Sequence, residues 1–243
     1  MKERLNLLGL PLDPVDMATA IAWVRDRLKT SEPAQIVTLN PEMVIRSRNC
    51  NPLAQAIKEA ELVTPDGVGI LWAVKKFCGV HLTQRVTGID LVEKLFKQLN
   101  DELNVFFLGG KPGIAEQAAI KSNKLYNINI AGFHHGYFDH PDEVVKLINT
   151  SGANLLLAGL GEKQEIFLHE HKRDLGVHVM IGVGGTLDVL AGATRRMPIW
   201  SQRLGLEWLL RVGGDPRRWP RGWRLMHFVS LVLLSKHENC QYE

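Results

Sequence analysis

Asp66 is the side chain best placed by its neighbours to do acid–base chemistry. It lies in Leu62-Val63-Thr64-Pro65-Asp66-Gly67-Val68-Gly69-Ile70, where an apolar run reaches a Pro-Asp-Gly break and a helix-like stretch from Ile70 to Phe77 follows. An acid between a strand and a helix N-terminus sits at the carboxyl edge of an open α/β sheet, where such sheets bind ligands. A carboxylate there, near its ordinary pKa or raised by burial, can take a proton. An Asp before a helix more often serves as its cap, satisfying a free N–H. Thr38 and Asn40, two apart at the end of the strand-like Ile36-Val37-Thr38-Leu39, share one face. Asn40 also reads as a turn former before Pro41.

Glycine turns supply the other candidates. Gly109-Gly110-Lys111-Pro112-Gly113 follows the apolar run Asn104 to Leu108. Its exposed N–H groups and the next helix dipole would suit an anion, although glycine also simply permits a tight connection. Gly159-Leu160-Gly161-Glu162-Lys163-Gln164 nearly matches the dinucleotide fingerprint, but Gln164 stands at the third glycine position, so the motif is not intact. Gly184-Gly185-Thr186-Leu187-Asp188 closes a further apolar run, Val177 to Val183. His134, His135 and His140 near Asp139 suggest a metal, yet their spacing fits no zinc pattern.

The elements that must position these groups alternate. Leu5 to Leu10 reads as a short strand ended by Pro11, and Asp16 as the cap of a helix from Met17 to Leu28. Strand-like runs at 36–39, 62–63, 104–108, 128–133, 154–159 and 177–183 are separated by helical periodicity. The run Asn154 to Gly159 is continuously apolar, as in a strand covered on both faces. This pattern predicts an α/β fold with a Rossmann-like parallel sheet flanked by helices.

Charge divides the chain. The 243 residues carry a formal +3, but the window from Arg195 to Arg224 holds eight arginines, no lysine and two acids, so it carries +6 and the remainder −3. Four of the six tryptophans (Trp200, Trp208, Trp219, Trp223) fall in the same window. The division predicts a catalytic body over 1–194 and a basic, Trp-rich helical appendage over 195–243. Three cysteines without CxxC spacing argue against a zinc site or a disulfide framework. The N-terminus has no apolar core of signal-peptide length, and the ten-residue run Leu225 to Leu234 falls short of the ~20 a bilayer span needs. A cytoplasmic protein is expected.

The ordered motifs resemble one family. Thr38-Leu39-Asn40, Pro65-Asp66-Gly67-Val68-Gly69, Arg85-Val86-Thr87-Gly88-Ile89-Asp90-Leu91, Phe107-Leu108-Gly109-Gly110, Gly136-Tyr137-Phe138, Lys163-Gln164-Glu165, Gly182 to Asp188, Gly205-Leu206-Glu207-Trp208 and Pro216-Arg217-Arg218 stand in sequence from about residue 5 to residue 224. The set is similar to the WecG/TagA/CpsF glycosyltransferases, family 26, whose members include N-acetylmannosaminyltransferases of teichoic-acid linkage units and enterobacterial common antigen. Relatives usually have a proline and one more residue before Lys-Gln-Glu, where this chain has only Gly161-Glu162.

The resemblance implies inverting transfer of a sugar, N-acetylmannosamine first, from a UDP-sugar to undecaprenyl-diphosphate-linked GlcNAc. It implies Asp66 as base, Thr38 and Asn40 lining the sugar pocket, Gln164 and Asp188 holding the nucleotide-sugar, and Arg85 on the diphosphate. Gly109, Gly110, Gly184 and Gly185 would add backbone N–H groups to the donor. No Asp-x-Asp metal pair occurs, in keeping with a family that works without metal, so arginines and N–H groups must balance the charge. Arg211, Arg218, Arg221 and Arg224, among interfacial tryptophans, would meet the acceptor's diphosphate and the anionic inner leaflet. That makes the protein peripheral on the inner face of the plasma membrane, with no nucleic-acid partner and self-association left open. The alternative for the appendage is a solvated basic helix pair packed on the body.

Other functions remain in view. The same fold would accept UDP-N-acetylmannosaminuronate, UDP-glucose or UDP-glucuronate in exopolysaccharide synthesis. A basic nucleic-acid-binding module would explain the tail but leave Asp66 and the glycine turns without a role. A dinucleotide oxidoreductase lacks its fingerprint. Melting shifts with UDP and with NAD separate these classes.

Overall fold

The computed structural model describes residues 3–196 and 219–235, with the side chains at 219–221 left out. Six parallel strands form the central sheet: β3 (Ala34–Leu39), β4 (Leu62–Pro65), β5 (Asn104–Gly109), β6 (Asn129–His134), β7 (Leu155–Gly159) and β8 (Val179–Gly182). Their order is β4-β3-β8-β7-β5-β6, every neighbouring pair parallel. This is the expected Rossmann-like α/β fold. All but the edge strand β6 are buried on both faces, which explains the uninterrupted apolar runs.

The N-terminal stretch corrects one expectation. Instead of one strand, β1 (Leu5–Leu7) and β2 (Leu10–Leu12) form an antiparallel hairpin. Leu8 and Gly9, both at positive φ (56° and 86°), make the two-residue turn, and that geometry matches strand twist. Pro11 is tolerated because the ribbon has only two strands, both edges. Asp13 ties the hairpin to β4: its carboxylate takes the Val63 N–H at 2.7 Å and a two-point bond from Arg4.

The helices divide between the two faces of the sheet. On one lie α1 (Met17–Arg27), α5 (Gly88–Gln98), α6 (Ile114–Tyr126) and α9 (Thr186–Leu190), packed on Ile36, Val105, Leu157 and Ile181. On the other lie the hairpin, α2 (Pro41–Ser47), α3 (Asn51–Lys58) and α4 (Val68–Cys78), packed on Val37, Leu39 and Val63. α7 (Pro141–Thr150) and α8 (Gln164–Glu170) cover Phe106, Leu156 and Met180 in a third cluster. The C-terminal helix (Trp219–Leu234) joins the α2–α4 side by burying Phe228 and Val232.

Among the described residues Cys50 is free and Cys78 is disulfide-bonded. Arg211 and Arg218 lie outside the described residues, as does the side chain of Arg221.

Candidate functional site

Where adjacent parallel strands send their following helices to opposite faces, a crevice opens at their carboxyl ends. β3 continues into α2 on one face and β8 into α9 on the other. A cavity of about 230 Å3 lies there, lined among others by Thr38, Asn40, Asp66, Arg85, Gln164 and Gly184. Gly185, Thr87, Asp90 and Arg196 complete its polar wall.

Each of these groups is set by local structure. Thr38 ends β3 on the face it shares with Ile36, and a Cβ on Gly88 would stand 3.6 Å from its hydroxyl. Asn40 caps α2, its Oδ1 accepting the Met43 N–H at 3.0 Å. The residue thus turns the chain into α2 through its oxygen, and among the described residues the amide nitrogen makes no hydrogen bond. Asp66 follows β4, its N–H donating to the Leu39 carbonyl at 2.8 Å, while Gly67 at φ 94° occupies the N-cap of α4. The chain returns beside it: the Val86 N–H donates to the Pro65 carbonyl at 2.8 Å, and Thr64 Oγ1 donates to the Val86 carbonyl at 3.0 Å. Those bonds stitch Arg85 to the end of the strand that delivers Asp66.

On the far wall Thr87 caps α5 and donates to Asp90 Oδ2 at 2.7 Å, and Arg196 pairs with Asp90 and with Glu93. The sequence reading counted Arg196 within the basic window without separating it as a site residue. Nothing in the local sequence distinguishes it from its seven arginine neighbours.

Gln164 reaches the cavity despite the shortened loop before it, because the turn Gly161–Lys163 leads directly into α8. Its Oε1 accepts the Gly184 N–H at 2.9 Å and its Nε2 donates to Glu165 Oε1 at 2.8 Å. Glu165 is 3% exposed. Burial pushes its carboxyl up to about 7, against the lowering effects of the Gln164 bond, its own backbone N–H and the Arg46 charge. Nothing in the local sequence marks this, since an acid one residue into a helix is ordinarily solvated.

The remaining expected residues lie elsewhere. Gly109 and Gly110 are not among the residues lining the cavity. A Cβ on Gly109 would fall 2.4 Å from the Gly159 carbonyl oxygen, and one on Gly110 would fall 2.6 Å from Ile114. Asp188 stands on α9 behind Gly185, its carbonyl accepting the N–H groups of Ala193 and Thr194. Arg224 is bound to the body, donating to Glu42 at 2.5 Å and Glu162 at 2.7 Å. The Glu162 bond chiefly, with Glu42, raises its already high pKa. Among the described residues no group of three or more His, Cys, Asp or Glu side chains is gathered so as to hold a metal ion. His134 and His135 stack on each other at 4.4 Å.

A wider groove of about 790 Å3 runs along the amino edge of the sheet, where Lys172 pairs with Glu61 at 2.8 Å. In open α/β sheets ligands bind at the carboxyl edge. There, a parallel α/β body carries an acid and arginines in a crevice at the strand ends, as in enzymes that act on phosphorylated or nucleotide ligands. The model of the glycosyl transferase WecG/TagA/CpsF family matches residues 5–241, and the chain belongs to that family. It is a glycosyltransferase of cell-surface polymer synthesis, a family that uses nucleotide-sugars and lipid-linked acceptors.

Proposed function

We propose that the protein transfers N-acetylmannosamine from its UDP-sugar to GlcNAc carried on undecaprenyl diphosphate, with inversion and without a metal. The observation that carries this reading is the crevice between β3 and β8, where Asp66 and Arg85 converge from one strand end. Asp66 takes the proton from the acceptor hydroxyl as that oxygen attacks the anomeric carbon. The bond from that carbon to the UDP oxygen breaks on the opposite side, and the electron pair leaves with UDP. Arg85 and Arg196 offset the charge gathering on the diphosphate. Thr38 and the Asn40 amide nitrogen bound the sugar, and Gln164 fixes the donor.

The acceptor's lipid is met at the membrane surface. The C-terminal helix has two apolar faces: Phe228 and Val232 are buried in the body, while Trp223 (77% exposed), Met226, Leu233 and Leu234 face outward. Among the described residues no helix is long and apolar enough to cross a membrane. An outward tryptophan with aliphatic neighbours suits an interfacial helix, and nearby arginines suit anionic lipid.

A panel of UDP-sugars against a GlcNAc-diphosphate-lipid acceptor tests the reading. Transfer from UDP-N-acetylmannosamine is expected. Transfer from UDP-glucose or a UDP-uronate instead would move the assignment to the exopolysaccharide alternative, and no transfer from any UDP-sugar would overturn it.

A further inference from the structure

Glu165 has no place in the chemistry above, yet it is a carboxyl group buried directly behind the donor wall. Gly182, at the end of β8, makes the room: a Cβ there would stand 2.3 Å from Glu165 Oε1 and 2.9 Å from Gln164 Nε2. The backbone carbonyl of Glu165 accepts the Gln35 amide at 3.1 Å, which fixes the start of α8 against β3. Among the described residues the carboxyl oxygen has one side-chain donor, the Gln164 amide.

The amide of Gln164 is thereby held in one orientation. A backbone N–H can only donate, so the Gly184 N–H requires the amide oxygen. A carboxylate can only accept, so Glu165 requires the amide nitrogen. With both satisfied, the oxygen is committed to the backbone, and Gln164, which lines the cavity, keeps a second N–H to donate. Without Glu165, the Gly184 N–H alone would hold the amide, and its nitrogen end would lose its anchor.

We infer that Glu165 is a positioning residue that holds Gln164 as a hydrogen-bond donor to the nucleotide-sugar, so that the donor site tightens as Glu165 ionises. The inference rests on the glycosyltransferase reading of the cavity. A carboxylate accepts the Gln164 N–H more strongly than the neutral acid does. The groups facing Glu165 are few. α2 contributes Arg46, which is itself engaged with Glu162, and β3 contributes the neutral Gln35. β8 contributes Gly182 and no titratable group, while Glu59 of α3 pairs with His169 toward the other end of α8. The ligand contact offered is a single N–H donor, which selects an acceptor on the sugar or diphosphate: a hydroxyl oxygen, an amide carbonyl or a phosphate oxygen.

The test uses the full chain and measures UDP-N-acetylmannosamine KM and kcat from pH 6 to 8. In the wild type, donor KM should fall several-fold as pH rises through about 7. Glu165→Gln should flatten the profile and hold KM at the value the wild type shows at pH 6, since a neutral acceptor replaces the acid. Glu165→Met, which removes the acceptor, should raise donor KM about tenfold at every pH, with kcat changed much less. A second reading needs no ligand: the Gln164 side-chain amide of the wild type, followed by 15N NMR, should shift with a midpoint near 7. Variants that keep the wild-type KM and its pH profile overturn the inference, whatever they do to Tm. An amide signal that does not move between pH 6 and 8 also overturns it. Failure of the wild type to bind any UDP-sugar would instead sink the transferase reading, and the amide titration would still decide the Glu165 contact.

Discussion

Four pairs of neighbouring strands send their following helices to opposite faces of the sheet, and two of those places have opposite fates. Between β3 and β8 the strand ends splay around a cavity lined by Asp66, Arg85 and Gln164. Between β5 and β7, which lead to α6 and α8 on opposite faces, the equivalent space is closed by main chain. Gly136 lies against Gly109 and Gly110, its N–H donating to the Gly110 carbonyl at 2.8 Å, and the Gly110 N–H donates to Gly159 at 3.1 Å. The same topology thus gives a ligand crevice where side chains with charge meet, and a sealed seam where glycines let backbones touch. A glycine-rich strand end is evidence of close approach, and what approaches is decided by its neighbours.

The largest expected effect breaks the seam. Gly109→Ala places a methyl group against the Gly159 carbonyl at a φ of 137°, and should cost about 4 kcal/mol, read as a lowered denaturation midpoint. The fraction that remains folded should keep wild-type donor KM; a raised KM with unchanged stability would put a ligand at the seam.

Next comes the buried acid of the crevice. Glu165 has its carboxyl raised to about 7 from 4.5, so the folded state holds a proton that the unfolded state has released between those values. The stability this group supplies is full below about pH 4.5 and lost as pH rises through about 7. Relative to wild type, Glu165→Gln should gain about 3 kcal/mol on going from pH 4.5 to pH 8, measured by urea melts. A constant difference across that range would mean that Glu165 does not titrate there.

Asp66→Asn should keep fold and UDP binding and lose turnover by about 10²-fold or more, roughly 2.7 kcal/mol of barrier. Near-normal turnover would remove the base from Asp66. Arg85→Gln or Arg196→Gln should raise donor KM about tenfold, the worth of one charge-assisted bond to phosphate. Equal losses for a donor analogue without the diphosphate would move those arginines off it.

The smallest effect concerns the outer face of the C-terminal helix. Trp223→Ser with Leu234→Ser should weaken sedimentation with anionic vesicles several-fold and leave UDP binding unchanged. Point changes are the sharper tool here, because removing the helix would also strip Phe228 and Val232 from the core beside α2 and α4. Activity in excess EDTA should be unchanged; loss restored by magnesium or manganese would overturn metal independence.

Much of the fold is legible in the chain because five of the six strands are buried on both faces, which leaves apolar runs of strand length between helical stretches. The hairpin is not, because Leu8 and Gly9 break a run that otherwise reads as continuous. The helical region after Asn40 divides at Cys50-Asn51-Pro52 into α2 and α3, a break that proline signals once the register is known. At the site, Asp66, Thr38 and Asn40 stand out because strand ends before turns are recognisable, and Gln164 through the resemblance. Glu165 and Arg196 are illegible for a common reason. Their roles come from what they touch, and those partners lie 20 and 106 residues away, Glu165 acting through Gln164 on Gly184 and Arg196 pairing with Asp90.

By itself the sequence determined the alternation of strands and helices, the polarity of each strand end and the split between a nearly neutral body and a basic, aromatic tail. These follow from local apolar burial and from charge composition, which need no knowledge of neighbours. Only the tertiary structure decided which strand ends meet. Strand order and the face taken by each connecting helix arise from long-range pairing, and they opened the β3–β8 crevice and sealed the β5–β7 seam. The pairing also put Gly182 behind Gln164, and with it a buried carboxyl where the linear chain shows only a helical glutamate.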